Sequence, residues 1–299
     1  MATLREAYID ESPEIMALYA EPLASLLSRC PQAQSWDPDL VESIRAFNAD
    51  LGHTVTFEGN EAVVITGQQP GAFAGPLYSV YKAITTIKLA KKISKTHNVP
   101  CIPVYWVGSE DHDFDEAATV YYPSKKHKTQ ALQLSQSPEQ VDWPLHRIDL
   151  DDNVHALIDS MADSAPSGEF HDEVFAFLHE SATQATSVSD WSTRCLARLF
   201  RDTPLVFFAP HLAAARQAMA PIMEAAIENP LGVTQCVNHG AESLEALGFK
   251  SQVIKNADEC SFFLECDSRR QKVVFDGASY CLPDLDQTYS REEMLALLA

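Results

Sequence analysis

The pattern of apolar and polar positions is clearest between residues 62 and 116. A short apolar run, 62–65, breaks into a glycine-rich segment, 66–76, and a second apolar run follows at 99–107. Between them the spacing of three and four residues predicts a helix to about His97, with Gly75 as N-cap and Pro76 at its first position. Strand, turn, helix and strand in this order predict a βαβ unit. The apolar face of this helix consists of Leu77, Val80, Tyr81, Ile84 and Ile87.

The rest of the chain adds helices, one further buried strand and a region of short strands. Residues 205–209 have the uniform apolar character of a buried strand, and Gly248 suits the position that closes a helix. Residues 121–144 are polar and punctuated by proline, which predicts a loop, and residues 261–284 predict short hairpins. Helices are predicted at 12–29, 38–51, most of 154–186 with a break at 164–168, 190–202, 212–228 and 233–247.

These elements predict an α/β fold with a parallel-sheet core, helices on both faces and a small β-hairpin insertion near the C-terminus. We divide the chain into three parts by pattern. Residues 1–60 form a helical segment packed on the core, residues 61–250 form the α/β core with a helical insertion near 121–186, and residues 251–299 form the β insertion and a terminal helix.

Composition restricts the classes of partner. The formal charge of −20, from 42 acidic and 22 basic residues, disfavours nucleic acid and anionic membranes as partners. Seven cysteines without C-x-x-C spacing favour reduced thiols over disulfides or a zinc site. The first residues contain no signal peptide, and no run of 18 apolar residues occurs. We therefore expect a soluble protein of the cytoplasm.

Two polar segments follow the two predicted parallel strands. Because a right-handed βαβ crossover brings the carboxyl ends of both strands to one sheet edge, we expect these segments to form one site. In the first, Gly67, Gly71 and Gly75 allow main-chain N–H groups to face an anion, and Gln68 and Gln69 offer amide groups. A tight turn that binds no ligand is the alternative. Tyr78 and Lys82 share a helix face that could extend the pocket.

The second segment, 110–113, places three carboxyl groups around one imidazole. Such crowding shifts pKa values, so His112, held by Asp111 or Asp113, could act as a general base near neutral pH, with Glu110 beside it. A metal site and a solvated acidic loop are the alternatives; no distant pair of ligand residues supports a metal, and we predict none. His211, after the third strand, could reach the same crevice or could serve as a helix cap or surface residue.

The segments TGQQPGAFAGPLYSVYK and IPVYWVGSEDHDFDE together resemble the BshC family, named as cysteine ligases of bacillithiol biosynthesis. Both motifs have the order and spacing found in that family. The resemblance implies a Rossmann-like core and a reaction that joins the carboxyl group of cysteine to the amine of glucosaminyl malate. The positions that carry it are Gly67, Gln68, Gln69, Gly71, Gly75, Pro76, Tyr78, Lys82, Glu110, Asp111, His112 and Asp113.

The resemblance also implies a longer chain. Family members continue well beyond 299 residues, with a second half that completes the core and adds a helical region through which they form homodimers. This chain stops inside a helix that begins with a capping box at Ser290, so we expect a truncated form or a fragment. Because a free carboxylate needs activation before it forms an amide, we expect ATP as co-substrate. The alternatives are a non-catalytic binding fragment, half of a split protein, and a nucleotidyl or sugar-nucleotide transferase.

Overall fold

The computed structural model describes residues 3–151 and 153–298. The chain divides into two compact units. One contains Pro31–Ala218 and Asp267–Arg270, and the other contains Met1–Cys30, Met219–Cys266 and Gln271–Ala299. Packing therefore groups residues 31–60 with the parallel sheet and residues 1–30 with the C-terminal strands.

Nine strands form three sheets within the described residues. The first sheet is parallel and has the order β1-β2-β5, whereas the other two are antiparallel and have the orders β3-β4 and β6-β7-β8-β9. The strands are β1 (Ala62–Gln68), β2 (Cys101–Val107), β3 (Thr119–Pro123), β4 (Thr129–Gln133), β5 (Val206–Phe208), β6 (Glu259–Cys266), β7 (Arg269–Phe275), β8 (Tyr280–Leu282) and β9 (Gln287–Tyr289).

The helices account for most of the remaining chain, and short 3₁₀ turns occur at Ala72–Ala74 and Pro138–Gln140. None of the helices formed by the described residues has both the length and the apolar composition needed to cross a bilayer. The helices are α1 (Leu4–Ile9), α2 (Pro13–Met16), α3 (Leu23–Ser28), α4 (Pro38–Asp50), α5 (Leu77–His97), α6 (Phe114–Ala118), α7 (Val154–Ser164), α8 (His171–Gln184), α9 (Val188–Phe200), α10 (Ala213–Glu228), α11 (Gly232–Ala246) and α12 (Arg291–Ala296).

The predicted βαβ unit is confirmed. β1 pairs with β2 in parallel register, from Ala62 opposite Cys101 to Gln68 opposite Val107, and α5 connects them. Alternate residues of the sheet enter two separate cores, as the period of two requires. Tyr105 and Phe207 pack on the side of α9, whereas Val104 and Val206 pack on the side of α4. Helices thus cover both faces, and the α/β, Rossmann-like prediction is confirmed.

The first turn of α5 differs from the prediction in two ways. Pro76, not Gly75, is the N-cap, so the predicted start was early by one residue. Leu77 and Tyr81 are 66% and 62% exposed, while Ala83 is fully buried. The buried face is therefore rotated toward smaller residues, because the helix packs closely on the sheet and leaves little room for long side chains. Val80, Ile84 and Ile87 do pack against the core beside Ala83, so periodicity located the helix and the greater part of its buried face.

The two outer edges of the parallel sheet are finished differently. At β5, Asn48 of α4 pairs with the main chain of Phe207 in both directions: its Nδ2 donates to the carbonyl at 2.8 Å, and its Oδ1 accepts from the N–H at 2.9 Å. His53 Nε2 lies 2.6 Å from the carbonyl oxygen of Leu205. At β1, no described strand pairs on the outer side, and Ile65 is 52% exposed.

The second unit contains the antiparallel sheet β6–β9 apart from the first two residues of β7, and its strands confirm the hairpins predicted at 261–284. Val273, Tyr280 and Leu282 form its buried core with Met294 of α12. Gly248, with φ of 83°, follows α11 at the predicted closing position. The predicted capping box of α12 is present, since Ser290 accepts from the N–H of Glu293 and Glu293 bonds back to Ser290.

Two predicted segments are wrong in detail. The helix predicted at 12–29 is interrupted, because α2 ends at Met16 and α3 begins only at Leu23, after Pro22. Proline lacks the N–H that would continue the helix. The loop predicted at 121–144 includes most of a β-hairpin. Its strands β3 and β4 pair from Thr119 opposite Gln133 to Pro123 opposite Thr129.

Candidate functional site

The glycine-rich turn and the acidic loop lie at the same edge of the parallel sheet, as predicted. Gln68, the last residue of β1, is opposite Val107, the last residue of β2. Immediately beyond, the N–H of Gly108 donates to the carbonyl oxygen of Gln68 at 2.9 Å. A side chain at Gly108 would approach the main chain of Gln69 to 3.2 Å. The two loops are therefore in direct contact.

Four polar side chains form a continuous hydrogen-bonded chain across these loops. Lys82 Nζ donates to Gln68 Oε1 at 2.8 Å and to the carbonyl oxygen of Gly67 at 3.1 Å. Gln68 Nε2 lies 3.4 Å from Gln69 Oε1, and Gln69 Nε2 donates to Asp111 Oδ2 at 2.8 Å. We call these residues the Gln–Asp chain. It links α5, the end of β1 and the loop after β2, and it places a cation at one end and a carboxylate at the other.

Close packing accounts for the glycines of the turn. A Cβ at Gly67 would lie 2.8 Å from the carbonyl oxygen of Trp106, and one at Gly71 would lie 2.9 Å from Cα of Gly75. The N–H of Gly71 donates to Ser192 Oγ at 2.9 Å, and that of Gly75 donates to Ala72. These two N–H groups already donate hydrogen bonds inside the protein. The groups that remain for a ligand are the side-chain amides of Gln68 and Gln69 and the N–H groups in the first turn of α5.

The turn contains an unusual backbone stretch. Phe73, Ala74 and Gly75 all have positive φ, at 55°, 78° and 74°. Residues with a Cβ adopt this conformation only where the surrounding structure holds them there. Two residues of α9 do so: the ring of Trp191 packs 4.8 Å from that of Phe73, and Ser192 bonds to the turn.

The N-terminus of α5 is open to an anion. Pro76 provides no side-chain cap, and the first turn has no acidic residue. The first N–H groups of a helix attract negative charge when no side chain satisfies them. Tyr78 is half-exposed there, and Lys82 Nζ lies 5.0 Å from the centre of its ring. Tyr78 and Lys82 therefore do flank the site, as the helix spacing predicted.

Two carboxylates of the acidic loop accept hydrogen bonds from nearby main-chain N–H groups and so stabilise the loop conformation. Asp111 Oδ1 accepts from the N–H of Asp113, and Asp113 Oδ1 caps α6 by accepting from the N–H of Glu116. His112 is exposed, and within the described residues neither aspartate is hydrogen-bonded to its ring. The predicted support of His112 by Asp111 or Asp113 is therefore not formed here. Glu110 faces Arg216 at 3.6 Å.

A second polar group lies beside the loop, toward β5. Ser109 is fully buried, and its Oγ lies 2.7 Å from Nδ1 of His211. The ring of His146 stacks on His211 with centroids 4.6 Å apart and an angle of 3°. His146 also bonds to the carbonyl oxygen of Ser109 through its N–H and its Nδ1. Burial, with the nearby charges of His146 and Arg216, lowers the pKa of His211 to about 4.

Sequence reasoning missed Ser192, Ser109, His146 and Arg216. A serine within the apolar face of α9 was the only signal for Ser192. Nothing in the local pattern indicated His146, which lies between the loop predicted at 121–144 and the helix predicted from 154. His211, by contrast, does reach this sheet edge. A small cavity of about 10 Å³ is lined in part by Gln68 and Gln69 and has room for a single water. Burial raises the pKa of Tyr105, which lines it, to about 12.

A separate concavity lies in the other unit. It measures about 1130 Å³ and is lined by Tyr8, Tyr19, His239 and Phe249 among others. It contains none of the predicted site residues. The chemistry therefore points to the sheet edge, where charged and amide groups converge.

Comparison with known proteins gives the same assignment as the two motifs. The family model for the N-terminal Rossmann-like domain of BshC, of bacillithiol biosynthesis, matches residues 2–299. Proteins named "Putative cysteine ligase BshC" are similar in sequence. That of Symbiobacterium thermophilum is 32% identical over 290 residues, which cover 92% of this chain and 50% of the relative.

Two more relatives carry the same name. That of Heliobacterium modesticaldum is 31% identical over 80% of this chain and 44% of the relative, and that of Salinibacter ruber is 31% identical over 81% and 44%. The chain spans about half the length of the curated relatives that it matches. The family match extends over nearly every residue, and both the sheet topology and the Gln–Asp chain lie within it. The chain belongs to the BshC family, as its N-terminal Rossmann-like domain.

Proposed function

We propose that this chain acts in the addition of L-cysteine to glucosaminyl malate, the last step of bacillithiol biosynthesis. The observation that carries the proposal is the Gln–Asp chain at the carboxyl edge of the parallel sheet, where α/β folds bind ligands. Relatives are named cysteine ligases. All four residues of the Gln–Asp chain are among the positions through which the sequence resembles the family. The substrates are small molecules with carboxylate, amine and thiol groups.

The reaction forms a C–N bond between the sugar amine and the carboxyl carbon of cysteine and breaks one C–O bond. A carboxylate oxygen leaves only after activation, so we propose ATP as co-substrate. The oxygen first takes a phosphoryl or nucleotidyl group from ATP, with cleavage of a P–O bond of ATP, and then departs together with that group. The open first turn of α5 fits an anion of this kind, and Lys82 supplies a cation one turn further along. The nitrogen loses a proton, which the protein accepts.

We assign the residues as follows. Gln68 and Gln69 orient a substrate through their amide groups, and Lys82 and Asp111 fix the position of these amides. His112 is exposed at the loop and is the proposed proton acceptor, because a neutral imidazole can take a proton near neutral pH. Its solvent exposure leaves it free to approach a bound amine without breaking a contact that holds the loop.

Mass spectrometry after incubation with ATP, cysteine and glucosaminyl malate tests the proposal. We expect a product that carries the mass of one cysteinyl group. A product without it rejects the ligase and favours the nucleotidyl transferase alternative. His112→Asn should lower the rate at least tenfold. His127→Asn changes an exposed histidine at a turn with φ of 56°, which asparagine adopts readily, and should leave the rate unchanged.

A second candidate function is favoured by the open edge of β1. A parallel sheet is normally covered on all sides, yet Ile65, Leu77 and Tyr81 are exposed beside this edge. We propose as the alternative that the chain is one half of a split enzyme and becomes active when a second polypeptide pairs with β1. Adding the C-terminal half of a relative should then produce the cysteinyl product. Equal turnover with and without that half rejects this alternative.

A further inference from the structure

His211 is held in one orientation by three contacts at the end of β5. Ser109 contacts its Nδ1 at 2.7 Å, His146 covers one ring face, and the edge of Phe47 lies against it at 6.4 Å between centroids. A histidine with a helix-cap or surface role needs none of these contacts. These contacts fix the position of the second ring nitrogen, Nε2, which is not the atom that contacts Ser109.

The contact with Ser109 decides which nitrogen carries the proton. Ser109 is fully buried, so its hydroxyl proton must go to an acceptor. Within the described residues, the acceptor that this hydroxyl reaches is Nδ1 of His211, at 2.7 Å. A hydroxyl that donates to Nδ1 requires a lone pair there, and a neutral imidazole then carries its proton on Nε2.

The surroundings keep this imidazole uncharged at neutral pH. The groups nearest to it are the stacked imidazole of His146, the ring of Phe47, the guanidinium of Arg216 and the hydroxyl of Ser109. Burial and the two basic groups all disfavour a second proton, which lowers the pKa of His211 to about 4. Glu110 is held near Arg216 at 3.6 Å.

Nε2 of His211 takes no part in the contact with Ser109. Four side-chain polar atoms of the described residues are buried without a partner, and Nε2 of His211 is not one of them. No hydrogen bond from Nε2 to a described residue is formed either. The atom is therefore reached by solvent at the sheet edge. A neutral donor beside a guanidinium suits an anionic oxygen, because it adds a hydrogen bond without titrating.

We propose that His211 binds a carboxylate oxygen of the acceptor substrate through Nε2–H, with Ser109 as the residue that positions its ring. The proposal rests on the proposed function for the identity of that substrate, whose malate part supplies the carboxylates. It adds a binding residue on β5 to a site otherwise built from β1, β2 and α5. The site then extends along the sheet edge over all three parallel strands.

Two substitutions separate binding from folding. His211→Asn keeps an acceptor near the Nδ1 position for Ser109 and removes the outer donor. His211→Gln places an amide donor near the Nε2 position. The matched control is His179→Asn, which changes the other stacked histidine pair, His155 and His179, on α7 and α8. L-malate is the probe, and its dissociation constant is measured by calorimetry for each folded variant.

We expect His211→Asn to weaken malate binding about tenfold, His211→Gln to recover it to within about threefold of the wild type, and His179→Asn to have no effect. The ¹⁵N spectrum of the wild-type protein should show His211 protonated on Nε2 alone from pH 5.5 to 8, and malate should shift that signal. Unchanged binding in His211→Asn, an unprotonated Nε2, or no binding of malate by the wild type overturns the proposal.

The ligation assay distinguishes this proposal from the proposed function. If malate binding depends on His211 but no cysteinyl product forms, the ligase function fails and the binding role stands. If the product forms at the same rate and the same KM for glucosaminyl malate in His211→Asn as in the wild type, the binding role fails and the ligase function stands.

Discussion

The two outer edges of the parallel sheet differ in what lies against their main-chain groups. At β5, the side chain of Asn48 pairs with both main-chain groups of Phe207, and His53 contacts the carbonyl oxygen of Leu205. At β1, no described strand pairs on the outer side and Ile65 is exposed. An unpaired edge can add another strand, whereas an edge satisfied by side chains cannot. The sheet is therefore finished at β5 and extendable only at β1.

The difference also separates the two halves of the candidate site. The Gln–Asp chain lies at the end of the extendable strand, and it consists of long side chains that are half-buried and partly charged. The group around Ser109 and His211 lies next to the finished edge, and it is built on a fully buried serine. We expect the first half to respond to whatever covers β1 and the second half to be insensitive to it.

Replacement of Asn48 should have the largest effect on stability. Asn48→Ala leaves the N–H and the carbonyl group of Phe207 without partners in a site that has no solvent access. We expect the free energy of unfolding to fall by about 2–4 kcal/mol, measured by urea denaturation. Asn238→Ala is the matched control, because Asn238 makes the same two bonds to Lys255 but is only half-buried. It should lose about 1 kcal/mol. Equal losses would show that burial of the β5 edge does not matter.

Gly71→Ala tests the end of β1 in the same way. The new Cβ would lie 2.9 Å from Cα of Gly75, a main-chain atom that cannot rotate away. We expect the free energy of unfolding to fall by about 1–3 kcal/mol, with weaker binding of any ligand that contacts Gln69. Gly168→Ala meets nothing within 4 Å and should be nearly neutral in the same denaturation experiment. A stable Gly71→Ala variant would mean that the turn is not closely packed.

Acid should weaken the β5 side through His211. Its pKa of about 4 in the folded chain lies below the ordinary value of 6.5, so the unfolded chain binds a proton at a pH where the folded chain does not. The stability that this group contributes is present above pH 6.5 and is lost as the pH falls toward 4. With solvent screening the loss is about 1–2 kcal/mol. His211→Asn should remove this part of the pH dependence, and a wild-type slope in that variant would assign it elsewhere.

The smallest effect is expected at the open edge itself. Ile65→Thr changes a half-exposed side chain of β1, so the free energy of unfolding should change by less than about 0.5 kcal/mol. Val206→Thr is the corresponding change in β5, where the side chain is 1% exposed, and should cost about 1–2 kcal/mol. If Ile65→Thr costs as much, the outer side of β1 is covered in solution.

Much of the fold followed from local patterns. The run of 62–65, the helical spacing to His97 and the second run to Val107 predicted β1, α5 and β2, because strand and helix periods differ over such lengths. The β3–β4 hairpin was missed, since its exposed tip at Lys125–Lys128 has the composition of a loop. Leu77 and Tyr81 were wrongly placed on the buried face of α5, because the exact side of a helix that meets the sheet depends on packing that spacing alone does not encode.

The candidate site was predictable only where its residues follow the ends of the predicted parallel strands. Gln68, Gln69 and Asp111 followed from strand ends and parallel pairing, and the structure brings them into one hydrogen-bonded chain. Ser192 and His146 belong to segments distant in sequence, so no local pattern placed them at this edge. The proposed roles of His112 and of ATP stay predictions.

The left-handed stretch of Phe73, Ala74 and Gly75 has a consequence for genetics. Local preference does not produce this shape, and α9 imposes it through Trp191 and Ser192. A screen for loss of affinity should therefore recover substitutions at Trp191 and Ser192 of α9, which hold the turn in this shape. We therefore expect the affinity of the glycine-rich turn for a ligand to depend on α9, a helix some 120 residues further along the polypeptide.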